Sequence, residues 1–135
     1  MCGHVRKSKM KPGAKFSFIT GSGVTSGLWG FNNSENYNAR SERLDNVWKN
    51  YKKGILTVDT FWEGGVEFIR PNNNTFSLGI IYNLKNEFAI VTCPANIIVE
   101  PYHHRMPVLI ADQSLDKWLN QGIIELIDQS QVIKS

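Results

Sequence analysis

The stretch TFSLGIIYNLKNEFAIVTC, residues 75–93, decides the fold. It contains two runs rich in β-branched and aromatic residues, separated by the polar tetrapeptide NLKN at 83–86. Such runs are typical of strands, and a short polar connection between them predicts an antiparallel hairpin. Earlier in the chain, strand-like runs occur at KFSFIT (15–20), ILTVDTFW (55–62) and GVEFIR (65–70). Together these segments predict an antiparallel meander.

Two other segments have the periodicity of short helices. SERLDNVWKNYKKG (41–54) carries apolar residues at i, i+3, i+4 and i+7, and its last glycine is placed to end the helix. DQSLDKWLNQG (112–122) predicts a second helix with a cap near Ser114 and a stop at its final glycine. The glycines and serines of GSGVTSG (21–27) predict a turn or mobile loop. Because strands outnumber helices and the short loops favour antiparallel pairing, the predicted fold class is α+β.

The length and composition fit a single domain that spans residues 1–135. The chain has 135 residues, 41% of them hydrophobic, and a chain of this kind buries one core. No apolar run approaches the roughly 18 residues of a membrane span, and the N-terminus lacks the apolar centre of a signal peptide. We therefore expect a soluble, cytoplasmic protein without a membrane partner.

The cysteine and histidine content argues against a disulfide framework or a metal site. Cys2 and Cys93 are the two cysteines, and neither has a metal-ligand spacing with the three histidines. We expect reduced thiols, no metal and no cofactor. Cys93 follows an apolar strand, which predicts a small buried hydrophobic residue.

Positive charge is concentrated at the start of the chain. The whole chain has a formal net charge of +3. The basic residues that precede the first acidic residue, Glu35, are Arg6, Lys7, Lys9, Lys11 and Lys15. Such a segment suits a phosphate backbone, and a solvated basic start without any ligand explains it equally well. Charge alone leaves both interpretations open.

Cys2 directly follows the initiator methionine, and removal of Met1 would turn it into a 1,2-aminothiol. Other polar residues that stand out are Asn38, Glu63 and the run HHR at 103–105. Each has an ordinary structural explanation, respectively a turn residue, an exposed acid at a strand end and a solvated loop. Taken separately, none of them identifies a function.

Taken in order, these segments resemble the SRAP family, the SOS response-associated peptidases. The family motifs MCGR, RWGLIP, NARSET, DGFYEW, ILTTEAN and HDRMPVIL correspond here to MCG (1–3), WG (29–30), NARSE (38–42), DTFWE (59–63), VTCPAN (91–96) and HHRMPVLI (103–110). The resemblance covers residues 1–3 and 27–120. It implies a single SRAP-like domain, shorter than is usual for the family, with a mostly antiparallel, curved or barrel-like sheet and a few short helices.

The resemblance also implies a function. SRAP proteins recognise abasic sites in single-stranded DNA and form a covalent DNA-protein cross-link through the N-terminal cysteine. By position, the nucleophile corresponds to Cys2, exposed by self-processing or by aminopeptidase removal of Met1. The other catalytic positions correspond to Asn38, Glu63 and His103.

Further positions correspond to DNA contacts. Arg40 and Arg105 match family arginines that face DNA phosphates. His4 stands where the family has an arginine beside the reactive cysteine. Trp29 or Trp62 could stack on a base next to the abasic position, which is a sequence-tolerant contact.

The residue types suit this reaction. The α-amine of a processed Cys2 has an ordinary pKa of roughly 7.7–8.0, so part of it is neutral at pH 7 and forms an imine with the open aldehyde. The adjacent thiol then closes a thiazolidine ring. In this scheme His103 supplies the proton that opens the sugar, Glu63 shuttles protons and Asn38 orients the reacting groups.

Two other functions stay open at this point. The chain could be a non-catalytic single-stranded nucleic-acid-binding module, or a self-processing cysteine peptidase or amidohydrolase with Cys2 as its nucleophile. For the cross-linking function we expect a monomer that associates with the nucleoid in the cytoplasm.

Overall fold

The computed structural model describes residues 4–6, 11–32 and 36–135, with the backbone alone for residues 4–6. The strands of this part of the chain are β1 (His4–Arg6), β2 (Lys15–Thr20), β3 (Gly23–Trp29), β4 (Asn38–Arg40), β5 (Lys52–Val58), β6 (Thr60–Glu63), β7 (Val66–Ile69), β8 (Phe76–Tyr82), β9 (Glu87–Pro94), β10 (Arg105–Pro107) and β11 (Ile133–Lys134). Its helical elements are α1 (Leu115–Gln121) and 3-10 turns at Ser41–Arg43, Pro71–Asn73, Asp112–Ser114 and Gln129–Gln131. None of these described helices has the length and apolar character that crossing a membrane requires.

The larger of two sheets closes on itself. Its strands follow the order β10-β9-β3-β2-β5-β8, and β8 also pairs with β9, so that β9, β3, β2, β5 and β8 form a ring. The pairings of β9 with β3 and with β4 are parallel, and the other pairings in this sheet are antiparallel. The predicted α+β class with a mostly antiparallel, barrel-like sheet is therefore confirmed.

The smaller sheet has the order β1-β6-β7-β11. A single residue, Asp59, separates β5 from β6, so the chain passes directly from the ring into this sheet. β6 and β7 form a hairpin whose turn consists of Gly64 and Gly65, both with positive φ, as a two-residue type I′ turn requires. Glu63, one of the predicted site residues, is the last residue of β6.

The hairpin predicted from residues 75–93 is confirmed. β8 and β9 pair antiparallel, with Tyr82 opposite Phe88 next to the turn. The side-chain Oδ1 of Asn83 accepts hydrogen bonds from two backbone N–H groups, one in the turn and one at the start of the following strand. Asparagine is common in tight turns because its side chain makes local hydrogen bonds of this kind with the backbone. The polar tetrapeptide therefore fixes the register of the hairpin.

Aromatic side chains fill the interior of the ring. Alternate residues of β2 are buried, and Phe16 and Phe18 point into the core. Their ring centroids lie 5.8 and 5.3 Å from that of Phe88 on β9. Trp29 packs with its ring almost parallel to that of Phe88. Burial of such large apolar surfaces is the main favourable contribution to folding.

The helix predicted for residues 41–54 is wrong. Its first three residues form a 3-10 turn, further turns follow, and its last three residues belong to β5. Trp48 and Tyr51 pack against Phe31, with ring centroids 5.8 and 5.1 Å apart. The end of the segment is held by pairing with β8. Tertiary contacts therefore override a helical period of marginal length.

Most of the segment 21–27, predicted as a turn or mobile loop, is strand. β3 begins at Gly23 and pairs with β2 as far as Leu28. A Cβ at Gly27 would overlap the carbonyl oxygen of Asn86. This glycine is therefore needed for a close backbone approach inside a strand, which the sequence pattern did not distinguish from a loop.

The second predicted helix is confirmed as α1, which ends at Gly122 with a φ of 67°. Ser114 occupies its N-cap position, but the hydroxyl donates to a glutamate side chain further along the chain and not to the helix backbone. Trp118 anchors the helix to β5 and β8. A Cβ at Gly79 would touch its indole, and the indole N–H donates to the Gly54 carbonyl at 2.7 Å.

We expect Trp118→Phe to lower the free energy of unfolding by about 1–3 kcal/mol, because the Gly54 carbonyl loses its indole donor. Trp48→Phe is the matched control, since the Trp48 indole nitrogen is buried without a hydrogen-bond partner among the described residues. Its replacement removes ring contacts but no hydrogen bond, so the loss of unfolding free energy should be smaller than for Trp118→Phe. Urea unfolding followed by circular dichroism measures both variants, and equal losses would contradict the role assigned to this hydrogen bond.

Candidate functional site

The second half of β9 brings predicted site residues from two other strands together. β4 pairs parallel with one edge and places Arg40 opposite Thr92. β10 pairs antiparallel with the other edge and begins at Arg105. With the loop that precedes β10, these strands form a cleft of about 310 Å³. It is lined by Asn38, Arg40, Thr92, His103, His104 and Arg105.

Glu63 and His103 form a close pair beside this cleft. Glu63 is 1% exposed, and its Oε1 lies 3.7 Å from His103 Nδ1. Burial raises the pKa of the Glu63 carboxyl above its ordinary value, and positive charge on His103 opposes part of that rise. A buried carboxyl with a raised pKa exchanges protons closer to neutral pH than an exposed glutamate does.

The backbone of Arg105 orients the His103 ring. Its N–H donates to His103 Nδ1 at 3.1 Å. A neutral imidazole that accepts at Nδ1 carries its proton on Nε2. When the ring is protonated, Nδ1 becomes a donor, and the Arg105 carbonyl oxygen lies 3.1 Å from it. Nδ1 therefore has a backbone partner in both protonation states, which fixes the orientation of the ring.

Asn38 presents an amide group to the cleft. It is half-buried at the start of β4, and both its Oδ1 and its Nδ2 are inaccessible to solvent. Neither atom has a hydrogen-bond partner in the described ranges 11–32 and 36–135. Buried polar atoms are usually hydrogen-bonded, and this amide has both a donor and an acceptor.

Arg105 is buried, and its guanidinium is already engaged. It donates to both carboxylate oxygens of Glu42 at 2.6 and 2.8 Å. It also donates to the carbonyl and hydroxyl oxygens of Thr92 at 2.9 and 3.1 Å. A bidentate pair of this type fixes geometry and leaves little hydrogen-bonding capacity for the phosphate expected here. Arg40, in contrast, is exposed at the cleft.

The other predicted site residues have separate positions. Trp29 is fully buried and its indole N–H donates to the Tyr37 carbonyl at 2.8 Å, so it cannot stack on a base, and that expectation is corrected. Trp62 is half-buried on β6. The backbone of His4 pairs with that of Trp62. Cys2 lies outside the described residues.

Sequence reasoning assigned no role to two residues at the site, Glu42 and His104. The available signals were the final acid of NARSE and the doubled histidine of HHRMP. The rings of His103 and His104 have centroids 4.6 Å apart. The pKa of His104 is lowered mainly by loss of hydration, and to a smaller extent by positive charge on His103.

Cys93 takes no part in this chemistry. It is buried, and burial raises the pKa of its thiol to about 11, which makes the thiol unreactive. The predicted small buried hydrophobic residue is confirmed. Within residues 11–32 and 36–135, no group of three or more histidine, cysteine, aspartate or glutamate side chains could hold a metal ion.

Comparison with known proteins identifies the family. The sequence profile described as SOS response associated peptidase (SRAP) matches residues 29–134. The chain belongs to the SRAP family. A solved structure of a Bordetella bronchiseptica protein superposes with a TM-score of 0.76 at 19% identity, over 97% of this chain and 87% of that one.

Two further solved structures are similar to this chain. A Bacteroides thetaiotaomicron protein gives a TM-score of 0.72 at 18% identity, over 90% of this chain and 73% of that one. A phage-related protein from Bordetella bronchiseptica gives 0.70 at 14% identity, over 94% and 79%. At these identities the similarity shows the fold alone. A search among curated proteins gave no match.

The Glu42–Arg105 pair should make stability depend on pH. The hydrogen bond from Arg105 lowers the pKa of Glu42 from 4.5 to about 2, so the folded state favours the carboxylate. This contribution is complete above pH 4.5 and is lost as the pH falls toward 2. Because half of the Glu42 side chain is exposed, we expect Glu42→Gln to lower the free energy of unfolding by about 1 kcal/mol at pH 7.

The difference between wild type and Glu42→Gln should shrink as the pH is lowered from 5 to 3 in a series of urea unfolding curves. Glu100→Gln is the matched control, because Glu100 is exposed and has no ion pair within the described residues. A difference for Glu42→Gln that stays constant over this pH range would contradict the assignment.

Proposed function

We propose that this protein recognises abasic sites in single-stranded DNA and forms a covalent thiazolidine cross-link through Cys2 after Met1 is removed. The proposal is carried by a histidine and an amide that line one cleft, with a buried carboxyl beside the histidine. Glu63 Oε1 is 3.7 Å from His103 Nδ1, and Asn38 lines the same cleft as His103. Membership of the SRAP family supports the assignment.

The position of β1 supports the role of Cys2. His4 pairs with Trp62 in an antiparallel register, and Glu63 follows Trp62 along β6. The chain that precedes His4 therefore starts from the end of β1 nearer to Glu63. The proposal therefore pairs Cys2, which precedes His4 by two residues in the sequence, with Glu63.

The proposed reaction starts with hydrolysis of the Met1–Cys2 peptide bond, which frees the Cys2 α-amine. In the abasic sugar, the ring oxygen gains a proton and the anomeric hydroxyl loses one, so that the hemiacetal opens to the aldehyde. The amine nitrogen attacks the aldehyde carbon, and loss of water gives an imine. The thiol sulfur then adds to the imine carbon, its proton passes to nitrogen, and the five-membered ring closes.

The residues of the cleft suit these proton transfers. Imidazoles exchange protons near neutral pH, and in this proposal His103 protonates the sugar ring oxygen. Glu63, whose pKa is raised by burial, takes a proton from the amine or thiol and returns it to the departing hydroxyl. Asn38 binds the sugar or the amine through its amide without ionising.

Arg40 is the residue that we assign to a DNA phosphate. It is exposed and lines the cleft, and a guanidinium matches the geometry of a phosphate. Arg105 instead stabilises the wall of the cleft through Glu42. Trp62, which is half-buried, is the candidate for stacking on a neighbouring base.

With a single-stranded oligonucleotide that contains one abasic site, the protein should give a band of slower mobility on a denaturing gel. The intact mass of the protein should be lower than that of the full sequence by one methionine residue. Cys2→Ala should abolish the stable band, because its imine has no thiol to close the ring and hydrolyses. Cys93→Ala is the matched control, since it removes a buried thiol and should keep the band.

An undiminished band from Cys2→Ala, or no band from the wild-type protein, would contradict the proposal. Salt-sensitive binding that is indifferent to the abasic site would favour the non-catalytic binding module. Turnover of a peptide or amide without any dependence on DNA would favour the peptidase or amidohydrolase.

Arg40→Ala should weaken binding of an oligonucleotide with a tetrahydrofuran analogue of the abasic site, which cannot react. Loss of one phosphate contact should reduce the slope of log K against log salt by about 0.7. Arg43→Ala is the matched control, because Arg43 has the same charge and is exposed but does not line the cleft. Fluorescence anisotropy over a salt series measures both. Equal effects of the two substitutions would indicate general attraction and count against a specific contact.

A further inference from the structure

We infer that Gly64 is a positioning residue, whose missing side chain lets the turn after β6 lie against the carbonyl of Tyr102 and so sets the separation of Glu63 and His103. The inference rests on the proposed function, in which these two side chains exchange protons with the substrate. Gly64 directly follows Glu63, and Tyr102 directly precedes His103. A contact between Gly64 and Tyr102 therefore acts on both reacting groups at once.

The contact leaves no room for a side chain. A Cβ built on Gly64 would overlap the Tyr102 carbonyl oxygen and would lie 3.0 Å from its carbonyl carbon. The neighbouring Gly65 also has a positive φ, but a Cβ there meets nothing within 4 Å. The two glycines of the same type I′ turn thus share a backbone requirement, and only Gly64 has a steric one.

Tyr102 cannot easily move away from Gly64. Its backbone N–H donates to the carbonyl of Val99 at 2.9 Å, and Val99 is fully buried. Its ring lies 5.9 Å from that of Phe68 in β7, and Lys134 of β11 lies 5.3 Å from the ring centroid. A group added at Gly64 would therefore push the β6–β7 turn away from the segment that holds His103.

The pair beside the cleft has little tolerance for such a shift. Glu63 Oε1 and His103 Nδ1 are already 3.7 Å apart, which is slightly beyond the range of a direct hydrogen bond. To relieve the overlap, the backbones must separate by about 1 Å, and a misplacement of that size can reduce a reaction rate by about 100-fold. We expect the rate of cross-linking to fall and the affinity for DNA to stay the same.

The test compares Gly64→Ala with Gly65→Ala. Both substitutions place a Cβ at a positive φ, so any effect of backbone strain is shared. Gly64→Ala should reduce the cross-linking rate at saturating DNA by at least about 10-fold and leave the half-saturating DNA concentration unchanged. Gly65→Ala should keep both quantities within about 2-fold of wild type, because its Cβ has open space. A Gly64→Ala protein with the wild-type rate would overturn the inference.

A second measurement needs neither DNA nor activity. The ring resonances of His103 in carbon–proton NMR spectra should shift on Glu63→Gln, because the carboxyl lies next to the ring. In the Gly64→Ala background the shift caused by Glu63→Gln should fall to less than half of its size in the wild-type background. In the Gly65→Ala background it should be retained. An unchanged shift in both backgrounds would overturn the inference. A reduced shift together with no cross-link from wild type would uphold the role of Gly64 and contradict the proposed function.

If Gly64→Ala does not fold, Gly64→Asn and Gly65→Asn replace the alanine pair. Asparagine tolerates the left-handed backbone region better than alanine, and it still places a Cβ against Tyr102. The same two measurements apply, with the same expected difference between positions 64 and 65. Equal behaviour of the two asparagine variants would overturn the inference.

Discussion

The pairing of β9 on both edges is the constraint on which the rest of this structure depends. Its first half pairs with β8 on one edge and β3 on the other, which closes the ring. Its second half pairs with β10 and β4. A strand paired on both sides has little freedom to shift its register. The cleft is therefore built on the same strand that holds the core together, and its geometry follows from the closure of the ring.

Buried charge divides the site into a structural part and a chemical part. An arginine keeps its charge at any pH that a protein experiences, so burial of Arg105 requires a partner, and Glu42 is that partner. A glutamate can respond to burial by holding a proton more strongly, and burial raises the pKa of the Glu63 carboxyl. Buried Arg105 therefore fixes the strands, while buried Glu63 is the group to which the proposed function assigns proton exchange beside a histidine.

The sequence predicted those parts of the fold that depend on local signals. The β8–β9 hairpin and α1 are examples, because the turn made by Asn83 and the stop at Gly122 act on adjacent residues. The helix predicted for 41–54 failed because the aromatic residues of that segment find their partner in Phe31. Periodicity carries no information about such a partner, which comes from elsewhere in the chain.

The site was predicted in the same uneven way. Order and identity of motifs pointed to Asn38 and His103, which do line one cleft. The motifs could not separate ligand contacts from structural ones. Arg105 was expected at a phosphate, but its partner Glu42 lies 63 residues away in the sequence. Only the folded chain reveals that this arginine is engaged within the protein.

Under the proposed function, the noncovalent affinity of the cleft for DNA is low, and the covalent link to Cys2 retains the DNA. Glu42 neutralises Arg105, and the lowered pKa of His104 disfavours positive charge on that ring. Among the described residues that line the cleft, Arg40 is then the exposed fixed positive charge, and a single phosphate contact contributes little affinity at physiological salt. A closed thiazolidine ring removes the need for tight binding, because dissociation then requires a covalent bond to break. Weak and sequence-independent contacts are sufficient for a target that is defined by a missing base.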